Sequence, residues 1–294
     1  MLFRIAPTPS GYLHLGNAVN FVLTWLAARQ RGAKLLLRID DLDDARKRPE
    51  YVDDIFRTID FLGLDYDLGP GSPDDFEANW SQQHRLDRYA DALEQLRATG
   101  RVYACGLSRR ELRAYATTPR SQGDVYPAEG RAQQLSLDAP GVTWRFWAEG
   151  NGEGDFVVRR REGLPAYQIA SLTDDYDFGV THLIRGQDLY ESTDRQRQLA
   201  LALGWTDFLT ASVWHHPLLV SSTGRKLSKS AGDGQIAQTS VRNVRERGII
   251  PEVIFGQVAR LLSAPKEVGH TLKDLLDWGV SDDLFTAVQT VKLS

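Results

Sequence analysis

The sequence predicts an α/β fold built on a parallel sheet, and three observations carry that expectation. Residues 3–6 are short and apolar and stop at Pro7, Pro9 and Gly11, the mark of a buried strand ending in a tight loop. From Asn17 onward Ala18, Phe21, Val22, Trp25 and Leu26 recur at three and four residues, making one apolar helical face, and Arg29 and Arg31 fall where a helix C-terminus favours cations. Residues 34–39 then return to the pattern of a buried strand. Strand, glycine-containing turn, helix and strand form a βαβ unit. Such units build parallel sheets whose ligands bind at the carboxyl ends of the strands.

The remaining elements follow in order. Pro49 opens a second helix with Val52, Ile55, Phe56, Ile59 and Leu62 inward, and Gly63 closes it. Leu86, Tyr89, Leu93 and Leu96 mark a third helix, ended by Gly100. Between residues 102 and 163 the pattern breaks into strand-like pieces at 142–147 and 156–160, interrupted by Pro119, Pro127, Pro140 and several glycines, and reads as an inserted domain. The α/β pattern resumes with a helix at 167–172, a strand at 181–184, a helix through 199–203 ended by Gly204, and a strand at 213–220. Short helices are expected after about residue 237, at 253–262, 272–278 and 284–288. The expected organisation is 1–100 and 164–236 as two halves of one α/β domain, 101–163 as the insertion and 237–294 as a helical segment that leaves little room for a further domain.

Composition excludes several classes. With 42% hydrophobic and 25% charged residues the chain has the balance of an ordinary globular protein. No apolar run approaches the roughly 20 residues that cross a bilayer. The chain enters a strand pattern at once, so no leader is expected and the cytoplasm is the expected compartment. Cys105 is the single cysteine, which rules out an internal disulfide and a multi-cysteine zinc site. A net charge of −4 argues against indiscriminate nucleic-acid binding, although Arg109, Arg110 and Arg113, Arg159 to Arg161, and Arg242, Arg245 and Arg247 could each form a local basic face.

Two segments carry chemistry. Residues 4–17 read Arg-Ile-Ala-Pro-Thr-Pro-Ser-Gly-Tyr-Leu-His-Leu-Gly-Asn, which sets His14, Gly16 and Asn17 at the mouth of a helix, where free amides and the helix dipole favour an anion such as phosphate. Lys226-Leu-Ser-Lys-Ser230, behind Thr223-Gly224-Arg225, presents two ammonium groups on a glycine-led loop. Those groups, Lys226 and Lys229, suit a leaving pyrophosphate, whose charge grows in the transition state. Either segment alone reads as an ordinary surface turn or basic loop; their joint presence argues for nucleotide chemistry.

Together they resemble the two ATP signatures of class I aminoacyl-tRNA synthetases. Leu37-Arg-Ile-Asp-Asp-Leu-Asp43, Gly163-Leu-Pro-Ala-Tyr167, Asp174-Asp175 and Gly179-Val-Thr-His-Leu-Ile-Arg185 fall in the order of the glutamyl and glutaminyl branch. Arg185-Gly-Gln-Asp-Leu189 and Thr193-Asp-Arg-Gln196 are similar to the short members, the glutamyl-queuosine tRNA(Asp) synthetases. The resemblance implies a Rossmann-type catalytic domain with an inserted α+β acceptor domain and a small C-terminal helical segment. It also implies a monomer that uses ATP with Mg2+ to form glutamyl-adenylate and passes the glutamyl group to RNA, most closely the queuosine of tRNA(Asp).

By the same resemblance His14, Asn17, Lys226 and Lys229 are catalytic, with His14, Gly16, Asn17 and Lys229 on ATP. Arg4, Ala6 and Thr8 would hold the amino acid, Asp40 its ammonium group, and Tyr167 and Arg185 its side chain. A guanidinium at Arg185 can grip a γ-carboxylate through two parallel bonds; the alternative is an ion pair with Asp188 or Glu191. Two positions depart from the pattern. Asp40 stands where glutamyl enzymes usually have Glu. The zinc ligands of many short members, Cys-x-Cys followed by Tyr-x-x-x-Cys, correspond to Cys105, Leu107, Tyr126 and Gly130, so no structural zinc is expected and apolar packing around Leu107 is expected in its place. The competing readings are a truncated glutamyl-tRNA synthetase or a paralogue loading another acceptor, a non-catalytic binding or regulatory paralogue, and a related adenylyl- or cytidylyltransferase.

Overall fold

The computed structural model describes residues 1–114, 128–148, 154–217, 240–265, 267–268 and 270–282. Seven strands lie among the described residues: β1 (Leu2–Ile5), β2 (Lys34–Leu37), β3 (Val102–Cys105), β4 (Thr143–Phe146), β5 (Phe156–Arg159), β6 (His182–Gly186) and β7 (Ser212–His216). The chain divides into two compact units. The first takes Met1–His84, Gly179–Tyr190 and Thr210–Ser294, the second Arg85–Phe178 and Glu191–Leu209.

The first unit holds a parallel sheet in the order β2-β1-β6-β7, with Leu2 opposite Lys34 through Ile5 opposite Leu37. Its apolar strands are buried, as expected of a parallel sheet covered on its faces. Helix α1 (Leu15–Gln30) follows β1 and begins two residues before the expected Asn17. It is not the one-faced helix that the spacing suggested. Ala18, Val19, Phe21, Val22, Leu23, Thr24, Leu26, Ala27 and Ala28 are all buried, because α1 packs on the sheet and also receives the Glu252–Leu261 and Leu272–Trp278 helices. A helix covered nearly all round has little need of a polar face. Each large side chain removed from water there contributes about 1.5–3 kcal/mol.

Arg29 does more than complement a helix end. Its guanidinium reaches Asp65 at 3.1 Å and Asp67 at 2.7 Å, tying the end of α1 to the loop beside β2. Helix α2 (Pro49–Leu62) has the expected bounds: Pro49 occupies the first position and Gly63, at φ +66°, ends it in the left-handed conformation. The chain then runs alongside β2, where Leu37 N donates to Leu68 O at 2.9 Å.

The second unit contains the antiparallel sheet β3-β4-β5, and residues 101–163, read as an insertion, lie inside it. The Leu86–Ala98 helix packs on the Tyr167–Asp177 helix around a buried acid. Asp174 accepts Arg85 Nε at 2.8 Å and the Tyr89 hydroxyl at 2.9 Å, while Asp177 accepts Arg85 and Arg88. The Tyr167–Asp177 and Tyr190–Leu203 helices run longer than their apolar periodicity indicated, since their extra turns carry mostly polar residues that leave no such periodicity. The Val241–Glu246 helix lies in the segment expected to be helical after about residue 237, outside the three pieces expected there. Strand β7 ends at His216, and the helix expected at 284–288 lies outside the described residues.

Gly69 supplies a test of this packing. Its φ is +119°, and a Cβ there would stand 2.2 Å from the Leu37 carbonyl oxygen. Gly69→Ala is expected to destabilise the fold by more than about 1 kcal/mol, read as a lower urea midpoint at unchanged slope.

Candidate active site at the carboxyl edge of the parallel sheet

Strand β1 hydrogen-bonds to β2 on one side and to β6 on the other, so the connections out of the sheet diverge between β1 and β6. Ligands of open α/β sheets bind in the crevice at such a switch point. The predicted residues of the first unit collect at that carboxyl edge. Arg4 is buried within β1, half-buried Ala6 and exposed Thr8 follow it, Asp40 follows β2, and Arg185 lies near the end of β6 with 1% of its surface exposed.

The mouth of α1 has a defined chemistry. His14 is the N-cap: Asn17 N donates to His14 Nδ1 at 3.3 Å, and His14 N donates to Asn17 Oδ1 at 3.0 Å, closing a capping box. Because Nδ1 accepts a backbone N–H, the neutral imidazole carries its proton on Nε2. No acidic side chain occupies the first turn, so the positive end of the helix dipole is left for an anion. Gly16 is required by this ring, since a Cβ at that position would lie 2.9 Å from His14 Nδ1 and Cε1. Gly16→Ala is therefore expected to push the imidazole off its cap. Thermal unfolding should show a loss of about 0.5–2 kcal/mol, and equilibrium titration a weaker affinity for ATP.

Asp40 has a partner that sequence reasoning missed. Arg38 Nε reaches Asp40 Oδ1 at 2.6 Å and Arg38 Nη2 reaches Asp40 Oδ2 at 3.1 Å, a two-bond contact with 3% and 7% of the two side chains exposed. The backbone holds the pair in place: Arg38 N donates to Ile5 O and Asp40 N to Pro7 O, extending the β1–β2 ladder past the assigned strands. The signal was present in the sequence, because alternate residues of an extended segment share a face. An ammonium group bound by Asp40 would share its carboxylate with Arg38. Neighbouring Asp41 points into a structural network instead, accepting Ser81 Oγ at 2.6 Å, Gln82 N at 2.7 Å and Lys47 Nζ at 3.2 Å. Burial opposes the Lys47 charge, but its bonds to Glu77 and Asp41 outweigh that and raise its pKa.

Two further contacts frame residues 218–239, the segment that contains Lys226 and Lys229 and lies outside the described residues. Before it, Asn20 Nδ2 on α1 donates to Ile184 O at 3.1 Å and to His216 Nε2 at 3.3 Å, while His216 Nδ1 donates to Pro217 O at 2.8 Å. After it, Ser240 pairs with His14 in an antiparallel bridge and Val241 N donates to Leu13 O at 2.8 Å. The described residues His216 and Ser240 to Val241 are thus held by α1 or by the loop that leads into it.

Burial pushes the pKa of His216 below its ordinary 6.5, against the raising effect of its bond to Pro217 O. The sign follows from linkage. As pH falls through 6.5 the unfolded chain takes up the proton before the folded one, so His216 contributes stability above its unfolded pKa and withdraws it on acidification. Thermal midpoints measured from about pH 7 to pH 5 should decline, and His216→Gln should flatten that decline. Some slope should persist, because burial beside Arg31 lowers His182 as well.

Tyr167 is half-buried at the start of the Tyr167–Asp177 helix and belongs to the second unit, whereas Arg185 belongs to the first. In the second unit Cys105 is buried with Gly130 against it, where a Cβ would stand 3.5 Å from Cys105 Sγ; Leu107 is half-buried and Tyr126 lies outside the described residues. Beside Cys105 the described residues also form a polar clasp. Asp155 accepts Tyr103 Oη at 2.9 Å, Arg131 Nε at 2.8 Å and Ala148 N at 2.9 Å. Among the described residues no group of three or more His, Cys, Asp or Glu is placed to hold a metal ion.

A parallel sheet with a histidine-capped helix mouth at its switch point places the chain among open α/β folds, whose ligands bind at the carboxyl edge of the sheet. The family of class I tRNA synthetases (E and Q), catalytic domain, matches residues 1–140 and 141–276; the chain belongs to that family and is a ligase of its type. Glutamyl-Q tRNA(Asp) synthetase of Symbiobacterium thermophilum is 38% identical over 287 residues, covering 88% of this chain and 85% of that protein. Glutamate–tRNA ligase 1 of Acidithiobacillus ferrooxidans is 34% identical over 278 residues, but the chain spans only 56% of its length. The glutamate-tRNA synthetase of Elizabethkingia anophelis shares the fold, with a TM-score of 0.73 at 24% identity over 96% of this chain and 66% of that one.

Proposed function

We propose that this protein activates glutamate with ATP and transfers the glutamyl group to RNA, with the queuosine of tRNA(Asp) as acceptor. For the acceptor, the observation that carries the reading is similarity: the chain is 38% identical to a glutamyl-Q tRNA(Asp) synthetase and 34% identical to a glutamate–tRNA ligase. In the first step the amino acid's α-carboxylate attacks the α-phosphorus of ATP, a P–O bond breaks and pyrophosphate leaves. In the second an acceptor hydroxyl attacks the acyl carbon and AMP leaves. Neither step needs a protein nucleophile, so buried Cys105 has no part in it.

The residues act by binding and by electrostatics. His14 Nε2–H and the α1 dipole meet phosphate oxygens, with Gly16 leaving room for the ring and Asn17 holding it. Lys226 and Lys229 neutralise the departing pyrophosphate. Mg2+ bound to ATP would add positive charge against the same phosphates. Arg4, Ala6 and Thr8 contact the amino acid, Asp40 its ammonium group, and Tyr167 and Arg185 its side chain. Arg185 lies near the end of β6 with 1% of its surface exposed, and a guanidinium there could grip a γ-carboxylate through two parallel bonds. Residues 101–163 are proposed to contact the acceptor.

ATP–pyrophosphate exchange across all amino acids, with and without tRNA, tests the activation step. Exchange with glutamate that does not require tRNA is expected, and no exchange with glutamate under either condition refutes it. Label from glutamate should then map to the anticodon fragment of tRNA(Asp); label at a 3′ end would instead support a glutamate–tRNA ligase. Arg185→Gln is expected to lower kcat/KM for glutamate on the order of 10²–10³-fold. Lys229→Ala should slow adenylate formation by at least about 10²-fold with unchanged circular dichroism.

A further inference from the structure

The loop before α1 is held from behind by an acid that the reaction does not use. Asp54 lies on the inward face of α2, and 3% of its side chain is exposed. Its Oδ2 accepts Leu13 N at 3.2 Å, one residue before His14, and its Oδ1 pairs with Arg245 of the Val241–Glu246 helix. Leu13 O in turn accepts Val241 N at 2.8 Å. Both backbone polar groups of Leu13 are therefore bonded, one to α2 and one to the chain returning from the lysine segment.

The neighbouring groups reinforce the join. Arg242 stacks over the Tyr12 ring at 4.5 Å, Tyr12 meets Tyr51 edge-on at 5.0 Å, and Ser240 caps the Val241–Glu246 helix through Asn243 N. A cavity of about 740 Å³, lined by Tyr12, Asp54, Arg57, Arg242 and Arg245 among others, opens beside the pair. Polar contacts thus join α2 to that helix beside the apolar packing of Val241. A buried ion pair adds little net stability compared with apolar packing but can select one arrangement over others.

We propose that Asp54 and Arg245 are a positioning pair for the nucleotide end of the site, setting the His14 loop in register with the Val241–Glu246 helix and its cap, Ser240. The proposal rests on the nucleotide-binding reading of His14. It assigns to Asp54 and Arg245 an effect on ATP that is separate from any effect on the amino acid.

The test compares wild type with Asp54→Ala, Asp54→Asn, Arg245→Met and Arg245→Lys, using calorimetric ATP binding without amino acid, KM for ATP and for glutamate, and thermal midpoints. Asp54→Ala and Arg245→Met should weaken ATP binding and raise its KM on the order of ten- to a hundredfold, with KM for glutamate within about twofold of wild type. Asp54→Asn, which keeps an acceptor for Leu13 N, and Arg245→Lys, which keeps the charge, should fall between. ATP affinity within about twofold of wild type in folded Asp54→Ala and Arg245→Met, whatever their midpoints, overturns the proposal. If Asp54→Ala does not fold, the two Arg245 variants decide: affinities ordered wild type, Lys, Met support it and equal affinities refute it. A wild type that binds ATP but does not exchange with glutamate refutes the proposed substrate and leaves the positioning pair standing; one that binds no ATP refutes both.

Discussion

The backbone of Leu13 and His14 is the junction on which the first unit depends. Leu13 donates to Asp54 and accepts from Val241, and His14 caps α1 while pairing with Ser240. Three stretches far apart in sequence meet there: the loop after β1, the inward face of α2, and the chain beyond residue 239. A helix mouth with unpaired donors must be answered by side chains, water or ligand. Here one donor is answered by the His14 ring, so the side chain proposed to meet phosphate is the one that starts α1.

The carboxyl edge of the sheet is organised by buried polar pairs of the same kind. Arg38 and Asp40 satisfy each other while the β1–β2 ladder continues beneath them, and Asn20 joins β6 to His216 at the end of β7. Buried charges and amides are costly unless bonded, and once bonded they permit few alternative geometries. Such pairs suit an edge where reacting groups must be held while most of the core is aliphatic.

Much of the fold and part of the site could be read in advance, for a local reason. His14, Gly16 and Asn17 are contiguous, and the strand-turn-helix pattern around them is short-range, so their placement at a helix mouth follows from spacing alone. Pro49 and Gly63 bracket α2 for the same reason. Arg38 was legible in principle, two residues from Asp40, but its pairing depends on the strand continuing past Leu37. The role of Asp54 was not legible: an acid among inward apolar positions looks like an error of periodicity until the Leu13 amide, 41 residues away, is brought to it. His216 and Asn20 are 196 residues apart, and no spacing rule connects them.

The helix α1 marks the same division. Its apolar spacing predicted a helix with one buried face, yet it is buried on nearly every side, because the Glu252–Leu261 and Leu272–Trp278 helices pack on it as well. By itself the sequence determined the secondary elements with strong local signals, the parallel sheet they build, and the residue types able to handle phosphates. Only the tertiary structure decided which buried charges are paired, which tautomers His14 and His216 adopt, and how His216 and Val241 are tied to α1 and the loop before it. Those outcomes depend on partners distant in sequence and on the loss of solvent around them, and neither is encoded in local periodicity.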